Sequence, residues 1–191
     1  MSGKELIISL PNPHLHQKSK RVGLVDEATK QIIEQMKAAT LDWEAGREYE
    51  VGVALAAIQI DKPLKLIIIR GNFDDKKDKT FHVFINPEIT KLEGEIEEDY
   101  EGCLSVSDIY GKVPRHTKVR VRALDEDGRE VRIKAEGFLA RVLQHEIDHT
   151  KGVMFVDHLR DQSDKFFKLT PDGKLEKLND EQIAKAGIFR D

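Results

Sequence analysis

Within residues 144–149, Gln144-His-Glu-Ile-Asp-His149, two histidines stand four residues apart with a glutamate directly after the first. On a helix that spacing sends both imidazoles to one side. The neighbours ask for a helix: Leu139, Val142, Leu143 and Ile147 recur at three- and four-residue steps. This predicts a helix from about residue 136 to 151, with Gly152 as its left-handed stop. The apolar stripe must face a core, while Arg141, His145 and His149 share the adjoining face. Two imidazoles aimed at one point, with Glu146 within reach of a bound water, suit a catalytic metal: two nitrogen ligands and a carboxylate acting as general base. Taken alone, the pattern also fits a pair of surface histidines, and it does not name a reaction.

The rest of the chain supplies strands for that helix to pack on. Val25, Ala28, Ile32, Met36, Ala39 and Trp43 predict a first helix over 26–43, with Asp26 as its cap. Residues 44–50 read as a polar loop leading into the small-residue stretch 51–60. Residues 64–69 and 81–85 read as buried strands, joined by a solvated tip at Asp74-Asp-Lys-Lys-Asp78. Val119, Val121 and Ala123 alternate with charge, as do Val131, Ile133 and Ala135; with the turn Asp125-Glu-Asp-Gly128 this predicts a hairpin over 117–135. Thr170-Pro-Asp-Gly173 signals a further turn. The fold class is therefore α+β, antiparallel strands gathered around a central metal-binding helix. The 191 residues suit a single catalytic domain, with a tail of different character from about 161.

Composition narrows the class of partner. Thirty-one basic against 35 acidic residues give a net charge of −4, which offers no electrostatic footprint for DNA. No apolar run approaches the roughly 18 residues that span a bilayer. The start, Met1-Ser-Gly-Lys-Glu-Leu-Ile-Ile-Ser-Leu-Pro11, does not read as a signal or transit peptide. One cysteine forms no internal disulfide, which favours a reducing compartment. The expectation is a soluble cytoplasmic protein with no DNA or membrane partner.

The identity of a third ligand decides what the histidine pair does. Zinc proteases of the His-Glu-x-x-His kind take it downstream, where His158 is available but lies beyond the Gly152 stop in an apolar run. Upstream, Glu101-Gly-Cys-Leu-Ser105 contains the one cysteine, and a thiolate is a strong ligand for zinc or ferrous iron. A lone cysteine is otherwise a small buried hydrophobe.

Glu101-Gly-Cys-Leu-Ser105 and Gln144-His-Glu-Ile-Asp-His149 resemble two signature motifs of the peptide deformylase family. Gly52-Val-Ala-Leu-Ala-Ala-Ile-Gln59 matches the third, G-x-G-x-A-A-x-Q, in all but one position. The resemblance extends to Pro11-Asn-Pro13, Leu15, Asn86-Pro87 and Val113-Pro-Arg115, and so covers about residues 5–160.

It implies an enzyme that removes the formyl group from the N-terminal formyl-methionine of nascent chains and releases formate. It implies one divalent metal ion on Cys103, His145 and His149, with ferrous iron expected and zinc, nickel or cobalt as alternatives. Glu146 would be the general base. The side-chain amide of Gln59 and the backbone N–H of Leu104 would donate to the formyl oxygen. Gly52, Val53, Ala54, Gly102, Phe138, Arg141 and Val142 would bind substrate; the guanidinium of Arg141 is expected to reach outward from its methylene stem. Glu101 and Arg115 would form an ion pair supporting the cysteine loop. Ala54 departs from the motif, since alanine adds a methyl and resists positive φ. That leaves a deformylase-fold hydrolase of altered substrate preference as the alternative. A metal-binding module without turnover is disfavoured because it needs neither Glu146 nor Gln59, and a general endopeptidase is disfavoured further. Lys165, Lys168, Lys174 and Lys177 offer a possible ribosome contact, although a solvated face is the simpler reading.

Overall fold

The polar–apolar alternation around residue 120 belongs to a longer structure than the expected hairpin. In a computed structural model that describes residues 3–189, strand β3 runs from Phe81–Cys103 and β4 from Val106–Leu124. Met1 and Ser2 of the N-terminal reading, and Arg190 and Asp191 of the tail, lie outside the described residues. β3 and β4 pair antiparallel from Ile85↔Leu124 to Cys103↔Val106, with register shifts at four places. The sequence suggested only residues 81–85 of β3. Beyond them Asn86 takes a positive φ before Pro87, Gly94 takes φ +73°, and many residues from 90 to 99 are exposed and charged. Long-range pairing sustains this strand where local periodicity fades.

The remaining strands add to this ribbon. β1 (Ala54–Ala56) and β2 (Leu66–Arg70) extend it beyond β3, while β5 (Glu130–Glu136) pairs with one end of β4. The other end of β4 takes β6 (Phe166–Leu169), which pairs with β7 (Leu175–Lys177). Val119, Val121 and Ala123 face Ala135, Ile133 and Val131, as the alternation predicts.

Helices cover both faces of β2, whose residues are all buried. Leu66 and Ile68 pack with Ile33, Met36 and Ala39 of α1 (Glu27–Glu44). Ile67 and Ile69 pack with Ala140, Leu143 and Ile147 of α2 (Gly137–His149). A strand buried on two sides reads as an uninterrupted aliphatic run. Asp26 caps α1 through Thr29 N–H at 2.9 Å.

α2 ends where the sequence placed its stop. Gly152 N–H reaches His149 O and Val153 N–H reaches Asp148 O, both at 3.0 Å, with Gly152 at φ +77°. A third helix, α3 (Asp180–Ala186), buries Ile183 in a cluster that includes Phe166, Ile109, Leu15 and Cys103. The tail is thus part of the core around the cysteine, which its lysine-rich sequence did not suggest.

A Cβ at Gly152 would stand 2.3 Å from His16 O, in a backbone region that L side chains resist. Gly152→Ala is expected to lose about 2 kcal/mol or more of stability. Urea unfolding of the two proteins measures the difference.

Candidate metal centre and active site

Cys103 is the last residue of β3, directly before the Leu104–Ser105 turn into β4. The turn is held from the N-terminal side by Leu10 N–H on Ser105 O at 3.0 Å. α2 packs on β3 and β4, and its geometry brings the two imidazoles to the sulfur. Cys103 Sγ lies 3.3 Å from His149 Nε2, which lies 3.1 Å from His145 Nε2. One donor atom from each of the three residues falls within 4.8 Å of the others, and all three residues are buried. His158, the other ligand considered from the sequence, sits instead on Asp148 Oδ2 at 2.9 Å.

The donor set fits a divalent ion. Three protein ligands of sulfur and nitrogen leave a fourth position open, as catalytic sites do. Beside them, Glu146 Oε2 is buried with no hydrogen-bond partner, an uncommon and costly state that a bound water or substrate would relieve. Burial pushes the Glu146 carboxyl up to about 7, with the positive charge of His145 opposing the rise. His149 is driven well below its ordinary value by burial and by the charge of His145, which favours its neutral imidazole.

Glu101 organises the surroundings. Its carboxylate accepts from Arg115 Nε at 2.9 Å and Nη2 at 3.1 Å, from Arg141 Nη1 at 3.0 Å, and faces His145 Nδ1 at 2.9 Å. Burial favours its neutral form, yet the hydrogen bonds and charges of His145 and Arg115 win and hold it at about 2. The same competition raises His145: burial pulls it down, and its bonds to Cys103 and Glu101 more than offset this. With Nδ1 fixed on Glu101, His145 presents Nε2 to the ligand cluster. The expected Glu101–Arg115 pair is present. Arg115 also bonds Asp148, whose carboxyl is pulled well below its usual range by His158 and Arg115 against its own burial.

Arg141 corrects the sequence reading. Its guanidinium does not reach outward; it is buried beneath the β3–β4 ribbon and donates to Val113 O at 2.7 Å and Glu97 O at 2.8 Å as well as to Glu101. A buried cation needs acceptors on several sides, and two strands and a carboxylate provide them here.

Gln59 is 1% exposed and closes the other side of the site. Its Oε1 accepts from Ala56 N–H at 2.8 Å, while Nε2 points at Cys103 Sγ (3.3 Å) and Ser105 Oγ (3.1 Å). Ser105, fully buried, is a neighbour the sequence reading passed over.

A pocket of about 240 Å³ opens onto the cluster. Val53, Ala54, Gly102, Phe138, Arg141, Val142 and Leu104 line it, with Gln59, Glu146 and His145 at its inner end. Gly52 does not. Its N–H donates to Glu44 Oε2 and its carbonyl accepts from Arg70 Nε, both at 3.1 Å, and a Cβ there would meet Thr40 Cγ2 at 2.6 Å. Glycine is required there for packing on α1. Arg70, ending an aliphatic strand, and Glu44, ending α1, form a buried pair at 2.7 Å that anchors this segment. A cation closing a fully buried strand was the signal for it.

Ala54 belongs to an edge strand. Arg70 N–H donates to Val53 O at 2.8 Å, so by antiparallel alternation Ala54 turns its own N–H and C=O away from β2, toward the pocket. Its φ is not positive, so alanine carries no backbone strain there.

The family model for polypeptide deformylases matches residues 4–165. The chain belongs to the polypeptide deformylase family. It is 44% identical over 169 residues to the peptide deformylase of Mesorhizobium japonicum, covering 86% of this chain and 91% of that one. It is 42% identical over 160 residues to that of Thermomicrobium roseum, covering 82% and 86%. Among solved structures, a peptide deformylase from Synechococcus elongatus in complex with actinonin superposes with a TM-score of 0.72 at 38% identity, covering 80% of this chain and 78% of that one. The enzyme is a metal-dependent hydrolase that removes the N-formyl group from polypeptides. No described helix is long and apolar enough to cross a membrane.

Burial of Glu146 makes a pH-dependent prediction for the metal-free enzyme. Between the ordinary 4.5 and about 7 the native state holds a proton that the unfolded chain has lost. Stability therefore falls as pH rises through that window, by on the order of 3 kcal/mol from this group. Glu146→Gln is expected to gain on wild type by that amount at pH 8 and by little at pH 4, as measured by chemical unfolding of metal-free protein.

Proposed function

We propose that Cys103, His145 and His149 hold the metal, that Glu146 moves the proton, and that Gln59 and the Leu104 N–H receive the developing charge. The observation that carries this reading is the buried, unpartnered Glu146 Oε2 beside the three converging donor atoms. When bound, the divalent ion supplies Lewis acidity, lowering the pKa of a water and offsetting charge on the formyl oxygen.

The residues of the chain do the rest. Glu146 takes the proton from the attacking water and delivers it to the amine nitrogen as the formyl C–N bond breaks, giving formate and a free N-terminus. A carboxylate held up by burial accepts that proton at little cost and has no competing hydrogen bond on Oε2. Gln59 has its carbonyl end fixed on Ala56 N–H, so its amide donor is set in orientation before substrate arrives. To serve the formyl oxygen it exchanges one of its contacts to Cys103 or Ser105. The free edge of Ala54 pairs with the peptide as an added strand, with Gly102 on the opposite wall. Val53, Phe138, Val142 and the stem of Arg141 contact the methionine side chain.

The ion in the cell is ferrous iron, a metal that a thiolate with two imidazoles accommodates and that air oxidises. The substrates are nascent formylated chains in the cytoplasm. Ribosome contact through the tail lysines gains little support, because Lys165 is paired with Glu98 and Lys174 with Asp172.

Formate release from formyl-Met-Ala-Ser by anaerobically purified enzyme tests the chemistry. Glu146→Ala should be nearly silent with metal retained, and Gln59→Ala should lose about 10²–10³ in kcat. A Glu146→Ala protein that turns over at the wild-type rate would remove the base from its role. Metal analysis of the same preparation should find iron, with activity falling on exposure to air. Stoichiometric zinc with full aerobic activity would overturn the iron assignment.

A further inference from the structure

The chain has three tyrosines, Tyr49, Tyr100 and Tyr110, and all three line the pocket. All three also touch one element that plays no part in the chemistry: the β6–β7 hairpin, which lies beyond the residues matched by the family model. Phe167 of β6 packs edge-on against Tyr100, with ring centroids 5.0 Å apart, and Lys112 lies over both rings. Tyr110 pairs in register with Phe167. Gly173, at the hairpin turn, sits under Tyr49: a Cβ there would stand 2.9 Å from Cγ and Cδ1 of that ring.

The tyrosines in turn line the pocket that opens onto the three donor residues. Tyr100 stands two residues before Gly102 on β3. Tyr110 pairs with Gly102 across the ribbon, its ring so close that a Cβ on Gly102 would meet it at 2.6 Å. Its hydroxyl crosses to the facing wall and donates to Glu50 Oε1 at 2.9 Å, next to Tyr49 and four residues before Ala54. The ligands and base stand elsewhere, on α2 and the Cys103 turn.

We propose that the β6–β7 hairpin is a positioning element for substrate, acting through Phe167 and Gly173. By fixing the tyrosine rim it sets how the residues after the formylated methionine are held, and it leaves the chemical step alone. This rests on the deformylase reading of the site and extends it to the part of the peptide beyond the first residue. Neither Phe167 nor Gly173 lines the pocket, so both act only through the tyrosines.

The test compares two substrates of the metal-loaded enzyme, formyl-methioninamide and formyl-Met-Ala-Ser. Phe167→Ala removes the ring beneath Tyr100. Gly173→Asn tolerates the positive φ of +77° yet places a Cβ against Tyr49, separating the contact from backbone strain. Lys174→Ala, at an exposed side chain of the same turn, is the control. For the first two variants KM for the tripeptide should rise about three- to tenfold with kcat within about twofold, while both constants for formyl-methioninamide stay at wild-type values. Phe167→Leu should show the same split in weaker form, and it stands in if Phe167→Ala does not fold. Equal shifts for the two substrates, a change confined to kcat, or no change in either variant would overturn the proposal. A wild type that releases no formate from either substrate would instead overturn the reaction itself, and the hairpin's role with it.

Discussion

One buried carboxylate holds this structure in its working arrangement. Glu101 stands on β3, Arg115 on β4, and Arg141 and His145 on α2, so a single anion ties β4 to the two elements that carry Cys103, His145 and His149. An uncompensated carboxylate at that depth would be costly, and two guanidinium groups and an imidazole make its charged form the stable one. The consequence reaches the chemistry directly. The bond that satisfies Glu101 also fixes the ring of His145, and with it the side from which Nε2 faces Cys103 and His149.

A second buried pair plays the matching part on the other wall. Arg70 and Glu44 grip both backbone groups of Gly52, and the strand that follows presents the free edge of Ala54 to the pocket. The two pairs differ in what they brace. Glu101 braces the side that holds Cys103, His145 and His149, while Glu44 braces the backbone that leads into the strand edge of Ala54. Between them Gln59 is oriented by Ala56 and reaches the sulfur and Ser105. Glu146 is left with an unpartnered buried oxygen at the inner end of the pocket, where a bound water or substrate could satisfy it.

Much of this was legible from residue types and spacing. Imidazoles four apart on an amphipathic helix converge whatever the rest of the fold does, and Gly152 stops that helix because its backbone needs a left-handed residue. The hairpin around residues 125–128 follows from alternation and turn chemistry alone. Three things escaped. The β3 arm beyond Ile85 is held by partners on β4 far away in sequence, so its own pattern is weak. Arg141 was sent outward because the carbonyls of Glu97 and Val113 that receive it are invisible until the ribbon folds. The close packing of Gly52 on Thr40 of α1 joins residues that no local pattern pairs.

The sequence by itself determined the available chemistry: which atoms can bind a metal, which group can carry a proton, and that the helix would align two imidazoles. Those are properties of side chains and of short-range backbone geometry. Tertiary structure alone decided where Cys103 stands relative to the two imidazoles, which way each buried charge turns, and that the C-terminal hairpin rests against the pocket's aromatic rim. These depend on contacts between residues tens of positions apart, and burial sets their outcome by forcing each charge to find a partner that no local pattern names.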